Sequence, residues 1–135
     1  MQNRPTKIEI TQVAAMGANE RLHYFLTRAI EAEEIWSLGN ANGWELQQRD
    51  GRELVPIWPY LELARINKIQ KISAPSPQAT SLDHFFQNIL PSMIEQKIDL
   101  EVVCMPGMAG RLITATDLYA ILEGMLEAGE YYLEG

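Results

Sequence analysis

The chain has 135 residues and a mass of 15.3 kDa, the size of one domain, since a single core serves chains up to about 250 residues. Hydrophobic residues make up 47% and charged residues 21%, which excludes a disordered tail, a collagen-like fibre and a disulfide-stapled miniprotein. Eighteen Asp and Glu against eleven Lys and Arg give a formal charge of -7 and a sequence pI near 4.8, which argues against nucleic acid as a partner and favours a basic protein.

Met1 to Lys7 is followed by no apolar h-region and no small-residue cleavage site, so no secretory signal is readable. No apolar run approaches the roughly 20 residues of a membrane helix. The reading is a cytoplasmic protein with no membrane partner. Residues 1–10 read as a flexible lead-in. A short helix follows, capped by Thr11 and ended by Gly17. Leu22, Phe25, Leu26 and Ala29 then recur at helical spacing, with Asn19 placed to cap and Glu20 in the first turn.

From Ile35 to Trp58 the period becomes alternating. Breaks at Gly39 to Gly43 and at Asp50-Gly51 divide the stretch into a three-stranded meander over 35–58. A two-residue turn at Asp50-Gly51 pairs Arg49 with Arg52, Leu46 with Val55 and Trp44 with Ile57. Pairing Leu38 with Trp44 completes an apolar face for helices to cover. Trp36 and Trp44 read as core on that face, and Trp58, framed by Pro56 and Pro59, as half-exposed at the sheet end.

Leu63, Ile66 and Ile69 predict a helix starting at Pro59. Residues 73–80, with Pro75 and Pro77 and no large apolar side chain, read as a surface loop. Ser81 caps a helix carrying Leu82, Phe85, Phe86, Ile89, Leu90, Met93 and Ile94, with a kink or restart expected at Leu90-Pro91. A hairpin over 100–114 turns at Pro106-Gly107, and a last helix begins at Thr114 or Thr116 and ends at Gly129.

The search for chemistry is mostly negative. There is no G-x-S-x-G, no Walker-type glycine loop, and no H-x-x-x-H or C-x-x-C pair. Cys104, inside Val102-Val103-Cys104-Met105, reads as a buried small hydrophobe. His23, His84 and Cys104 have no metal-ligand spacing, so no metal and no cofactor are expected. Glu31, Glu33 and Glu34 cluster where the long helix meets the first strand, and such runs at helix ends are usually solvated. Arg65, Lys68 and Lys71 form a small basic stripe beside Glu62, better suited to internal salt bridges than to nucleic acid. The final stretch holds Asp117, Glu123, Glu127, Glu130 and Glu134 and no basic residue. With Tyr131 and Tyr132 as aromatic anchors, it is the best candidate for docking a basic protein.

One pattern carries a resemblance: Glu34-Ile35-Trp36-Ser37-Leu38, Gly43-Trp44, Pro56-Ile57-Trp58-Pro59, Leu82-Asp83-His84-Phe85 and Leu90-Pro91. Over roughly residues 20 to 106 the chain resembles a family of small, acidic bacterial proteins known as a domain of unknown function. The resemblance implies a bacterial, cytoplasmic α+β protein and brings no catalytic or ligand residues with it.

The sequence therefore predicts a single α+β domain, with a mainly antiparallel sheet of about five strands, the meander 35–58 plus the hairpin 100–114, covered by amphipathic helices. The expected function is non-catalytic protein binding through an acidic surface centred on Glu123, Glu127, Glu130, Tyr131 and Tyr132, in the manner of an immunity protein or antitoxin. The rival expectation is a small hydrolase or isomerase, or a small-molecule sensor, using Glu31, Glu34, His84 and Trp58 around an acidic, tryptophan-lined pocket.

Overall fold

The computed structural model describes residues 6–40, 43–67 and 76–128. Helix α1 (Lys7–Ala14) is capped by the Thr6 hydroxyl, which accepts from the Glu9 N–H at 3.0 Å. The helix expected from Thr11 thus begins more than a turn earlier, and Lys7 to Ile10 of the supposed lead-in are helical, residues 1–5 lying outside the described residues. Helix α2 (Ala18–Ala32) starts after Gly17, whose N–H donates to Glu20 Oε1 at 3.0 Å. Asn19 lies inside this helix rather than at its cap, and its Oδ1 accepts from Arg111.

Seven strands among the described residues form two sheets. Strands β1 (Glu34–Asn40), β2 (Gly43–Trp44) and β5 (Ser76–Ser81) make an antiparallel sheet in the order β2-β1-β5. Strands β3 (Gln47–Arg49), β4 (Arg52–Ile57), β6 (Asp99–Val102) and β7 (Arg111–Thr114) make a second, in the order β3-β4-β6-β7, with β4 and β6 parallel. The expected α+β architecture and the 100–114 hairpin are present. The three strands of the meander divide between the sheets, which meet where Trp36 and Trp58 exchange backbone hydrogen bonds of 2.8 and 2.9 Å.

The Asp50-Gly51 turn forms as expected, with Arg49 opposite Arg52 and both turn residues at positive φ, the geometry of a tight type I′ hairpin. Pairing stops at Gln47, so the expected Leu46–Val55 and Trp44–Ile57 pairs do not form. Trp44 pairs instead with Gly39, one residue from the expected Leu38. The cause is steric: a Cβ on Gly39 would lie 2.2 Å from the Gly43 carbonyl oxygen, so only glycine allows β2 to approach here, and a shift of one residue exchanges the faces of the strand.

Of the stretch read as a surface loop, residues 73–75 lie outside the described residues and the remainder is not a loop. From Ser76 onward it is strand β5, matched to β1 from Gly39–Ser76 to Glu34–Ser81. Pro77 is tolerated because β5 lies at the edge of its sheet, where one side of the strand needs no ladder partner. Helix α3 (Leu61–Ile66) begins two residues after Pro59; it buries Leu63 and leaves Ile66 exposed, while Ile69, Lys68 and Lys71 lie outside the described residues.

After β5 the chain runs through α4 (Leu82–His84), a π-helical turn (Phe85–Ile89) and α5 (Leu90–Gln96). The Ser81 hydroxyl caps it, accepting from His84 N–H at 3.1 Å. Pro91 has no N–H for the α-helical ladder, and the restart at Leu90 comes with a wide turn in which Leu90 N–H reaches the Phe85 carbonyl. Helix α6 (Ala115–Glu127) is capped by Thr114 and packs Leu118 and Leu122 into the core.

The tryptophans exchange their expected roles. Trp58 is fully buried and its indole N–H donates to the Cys104 carbonyl at 2.8 Å, while Trp36 and Trp44 are half-buried. Trp58→Ala is expected to cost about 3–5 kcal/mol, since it leaves a large void beside the seam; chemical denaturation of the two proteins measures it. Gly39→Ala is expected to force β2 away from β1 and to lower the unfolding midpoint in the same assay.

Candidate functional site

The helix α4–α5 runs past the open side of β2, and the space between them is a groove of about 500 Å³. Its helical side carries His84, Asn88, Ser92 and Gln96, one every four residues and all exposed. They are linked in pairs: Asn88 Nδ2 lies 3.1 Å from His84 Nδ1, and Gln96 Nε2 donates to Ser92 Oγ at 2.8 Å. Ile89, Met93, Ile98 and Val55 supply an apolar floor, and Trp44 and Leu46 the opposite wall. The wall is held in place because Trp44 Nε1 donates to the Gln78 carbonyl at 3.1 Å and its ring rests 5.9 Å from that of Phe85. Leu46 is 43% exposed and so offers apolar surface on this wall.

Of the four residues expected to surround a catalytic pocket, His84 alone lines this groove. Glu31 pairs with Arg28 at 2.9 Å, and Glu34 Oε1 accepts from Trp36 Nε1 at 2.9 Å. Trp58 has no exposed surface to offer a ligand, because the seam between the sheets closes over it. A second depression of about 530 Å³ is built from Met16 and the outer side of α2, with His23 exposed on it. Its Tyr24 hydroxyl is committed to Glu9 at 2.6 Å, and burial raises the hydroxyl above its ordinary range. Among the described residues no group of three or more His, Cys, Asp or Glu is placed to hold a metal ion. None of the described helices is long and apolar enough to cross a membrane.

The acidic surface is partly visible. Asp117, Glu123 and Glu127 are exposed on α6 and, among the described residues, none has a basic partner. Other acids of the chain are engaged: Glu9 and Glu31 with Arg28, Asp99 with Arg52, and the buried Glu101 with both arms of Arg49. Glu130, Tyr131 and Tyr132 lie outside the described residues.

Sequence reasoning did not single out the ladder of His84, Asn88, Ser92 and Gln96 beyond its first member. Its signal was present, as four hydrogen-bonding residues at a spacing of four on the polar side of the Phe85 helix. Arg21 was also missed. Only 1% exposed, it has no carboxylate partner among the described residues, and it donates to the carbonyls of Ala14, Met16 and Val103 at 3.2, 3.1 and 2.8 Å.

Cys104 is inert by its surroundings, since burial pushes its thiol up to about 12. In the unfolded chain the same thiol ionises near 8.5, so above that pH the fold keeps a proton that the unfolded chain releases. Stability from this group is complete below about pH 8.5 and falls as pH rises toward 12, by up to about 1.4 kcal/mol per pH unit. Tyr24 and Tyr60 are raised as well, but their unfolded hydroxyls titrate only near 10. Denaturant titrations from about pH 8.5 to about pH 10 are therefore expected to show a decline that Cys104→Ala removes.

The sequence profile of a family described as a protein of unknown function, DUF2750, matches residues 22–122. Comparison with curated proteins and with solved structures returned no match.

Proposed function

We propose, from the premise that the chain belongs to the DUF2750 family of proteins of unknown function, that it is a non-catalytic binding module for a basic protein. The observation that carries this is the division of its carboxylates. Glu9, Glu31, Asp99 and Glu101 are paired with arginine, whereas Asp117, Glu123 and Glu127 stand exposed on α6 with no basic partner among the described residues. Unpaired acids on one helix concentrate negative potential, which steers a positively charged partner and selects against acidic ones. Glu130, Tyr131 and Tyr132 follow directly in the chain and extend the surface in this reading with acid and aromatic anchors.

An immunity protein or antitoxin masking a basic toxin is the concrete form of the proposal, acting in the cytoplasm of a bacterial cell. The free, unreactive Cys104 fits a reducing compartment.

The test is affinity capture by the tagged full chain from a lysate of its source cells at low and moderate salt. One basic protein is expected in stoichiometric amount, weakened by salt and lost, at least roughly tenfold, with Glu123→Lys, Glu127→Lys and Glu130→Lys combined. A blank at both salts, or a partner indifferent to the charge reversal, sinks the proposal.

A further inference from the structure

The groove between α4–α5 and β2 differs from the rest of the surface in one respect: none of the described residues lining it is Asp, Glu, Lys or Arg. About one residue in five of the chain is charged, and the protein carries a net charge of -7. A carboxylate or phosphate ligand finds no counter-charge here, and a cation finds no carboxylate, so the lining selects a neutral occupant.

The spacing of the polar groups narrows the class. His84, Asn88, Ser92 and Gln96 stand four residues apart on the helical wall; in α5 that spacing is about 6 Å along the axis, and the π-helical turn shortens the step from His84 to Asn88. An extended peptide presents a backbone N–H and C=O toward the same side every two residues, about 6.7 Å apart. A side-chain amide offers a donor and an acceptor on separate atoms and so matches a peptide unit, and the Ser92 hydroxyl between the two amides can also donate and accept, which a charged group cannot do. The internal pairs leave this capacity open: Asn88 and Gln96 each use an amide N–H within the ladder, and their oxygens have no protein partner among the described residues. The floor of Val55, Ile89, Met93 and Ile98 and the wall of Leu46 then receive alternate side chains of the same strand.

We infer that this groove binds an extended, uncharged peptide segment of about five residues, its main chain read by the Asn88–Gln96 ladder and its alternate apolar side chains seated on the floor. The site is separate from the acidic face of α6 and rests on different residues. Its occupant is recognised by backbone hydrogen bonds and apolar contact instead of charge.

The experiment is selection of random short peptides, displayed on phage, against the full-length protein, followed by titration of the selected sequence as a synthetic peptide with blocked ends. The expected consensus is neutral with apolar residues at alternate positions. Its affinity is expected to fall at least roughly tenfold with Asn88→Ala and Gln96→Ala combined, both exposed positions whose loss leaves the core intact. Ser92→Arg, which places bulk and charge in the groove, serves as a second variant and is expected to abolish binding. Raising salt from about 50 to about 300 mM, or introducing Glu123→Lys, is expected to leave affinity unchanged, which separates this site from the α6 surface. Four results overturn the inference: a charged consensus, an affinity indifferent to the ladder variants, enrichment no greater than on the Ser92→Arg protein, or a tryptophan fluorescence response to the neutral disaccharide cellobiose with no peptide selected.

Discussion

Trp36 and Trp58 exchange two backbone hydrogen bonds, and this single antiparallel bridge is where the two sheets join. Beside it the buried Ser37 hydroxyl donates to the Pro56 carbonyl, a carbonyl that would otherwise be buried next to a proline-broken ladder. The seam reaches further through β4. Trp58 Nε1 donates to the Cys104 carbonyl, and the Ile57 carbonyl accepts from Val103 N–H at 2.9 Å. The end of one strand thus sets the position of the loop that follows β6. Buried backbone groups left unpaired cost about as much as a lost hydrogen bond, so the angle between the sheets and the path of that loop are set together.

Arg21 secures the same loop from the other side. A guanidinium taken out of water without a carboxylate is costly unless its N–H groups find acceptors, and here the carbonyls of Ala14, Met16 and Val103 supply them. Val103 has φ 56° and is fully buried, a left-handed conformation that costs a β-branched residue on the order of 1–3 kcal/mol. Its carbonyl faces Arg21 and its N–H faces Ile57, so neighbours on two sides hold it in that state. Glu101 completes the arrangement by accepting from both arms of Arg49 and from Gly110 N–H. Polar partners thus hold both ends of the segment from Val103 to Gly110.

These engagements explain how charge is distributed over the protein. Arg21 is drawn inward and Arg28, Arg49 and Arg52 are held by Glu9, Glu31, Glu101 and Asp99, while the α6 acids have no basic partners among the described residues. The groove beside α5 has no formal charge in its lining. Since α5 packs on α6, an acidic surface and a groove whose described lining is uncharged are carried by adjoining helices. In the proposed reading one steers and selects a basic partner and the other holds an uncharged strand. Cys104, the one thiol, is silenced by its burial.

Elements governed by local rules were legible in the residues. The stripe Leu22, Phe25, Leu26 and Ala29, the Ser81 and Thr114 caps, the restart at Leu90-Pro91 and the Asp50-Gly51 hairpin each depend on a few neighbouring side chains or on backbone preference. The acidity of the last helix was likewise readable as composition. What the residues did not disclose depends on contacts between distant segments. Pairing of Trp44 with Gly39 turns on the absence of a Cβ that would meet Gly43. The strand character of Ser76 to Ser81 is imposed by β1, against a local composition that favours a loop. Whether a tryptophan is buried depends on which sheet covers it, so Trp58 and Trp44 exchanged places. The groove illustrates the same limit: His84, Asn88, Ser92 and Gln96 lie in order along one helix, but only β2 and β4 make them one wall of a site. Sequence alone determined the main amphipathic helices, the Asp50-Gly51 turn and the sign of the charge, because helical period, caps and composition are local. Tertiary structure alone decided register, burial and the shape of the site, because each of those is a relation between segments far apart in the chain.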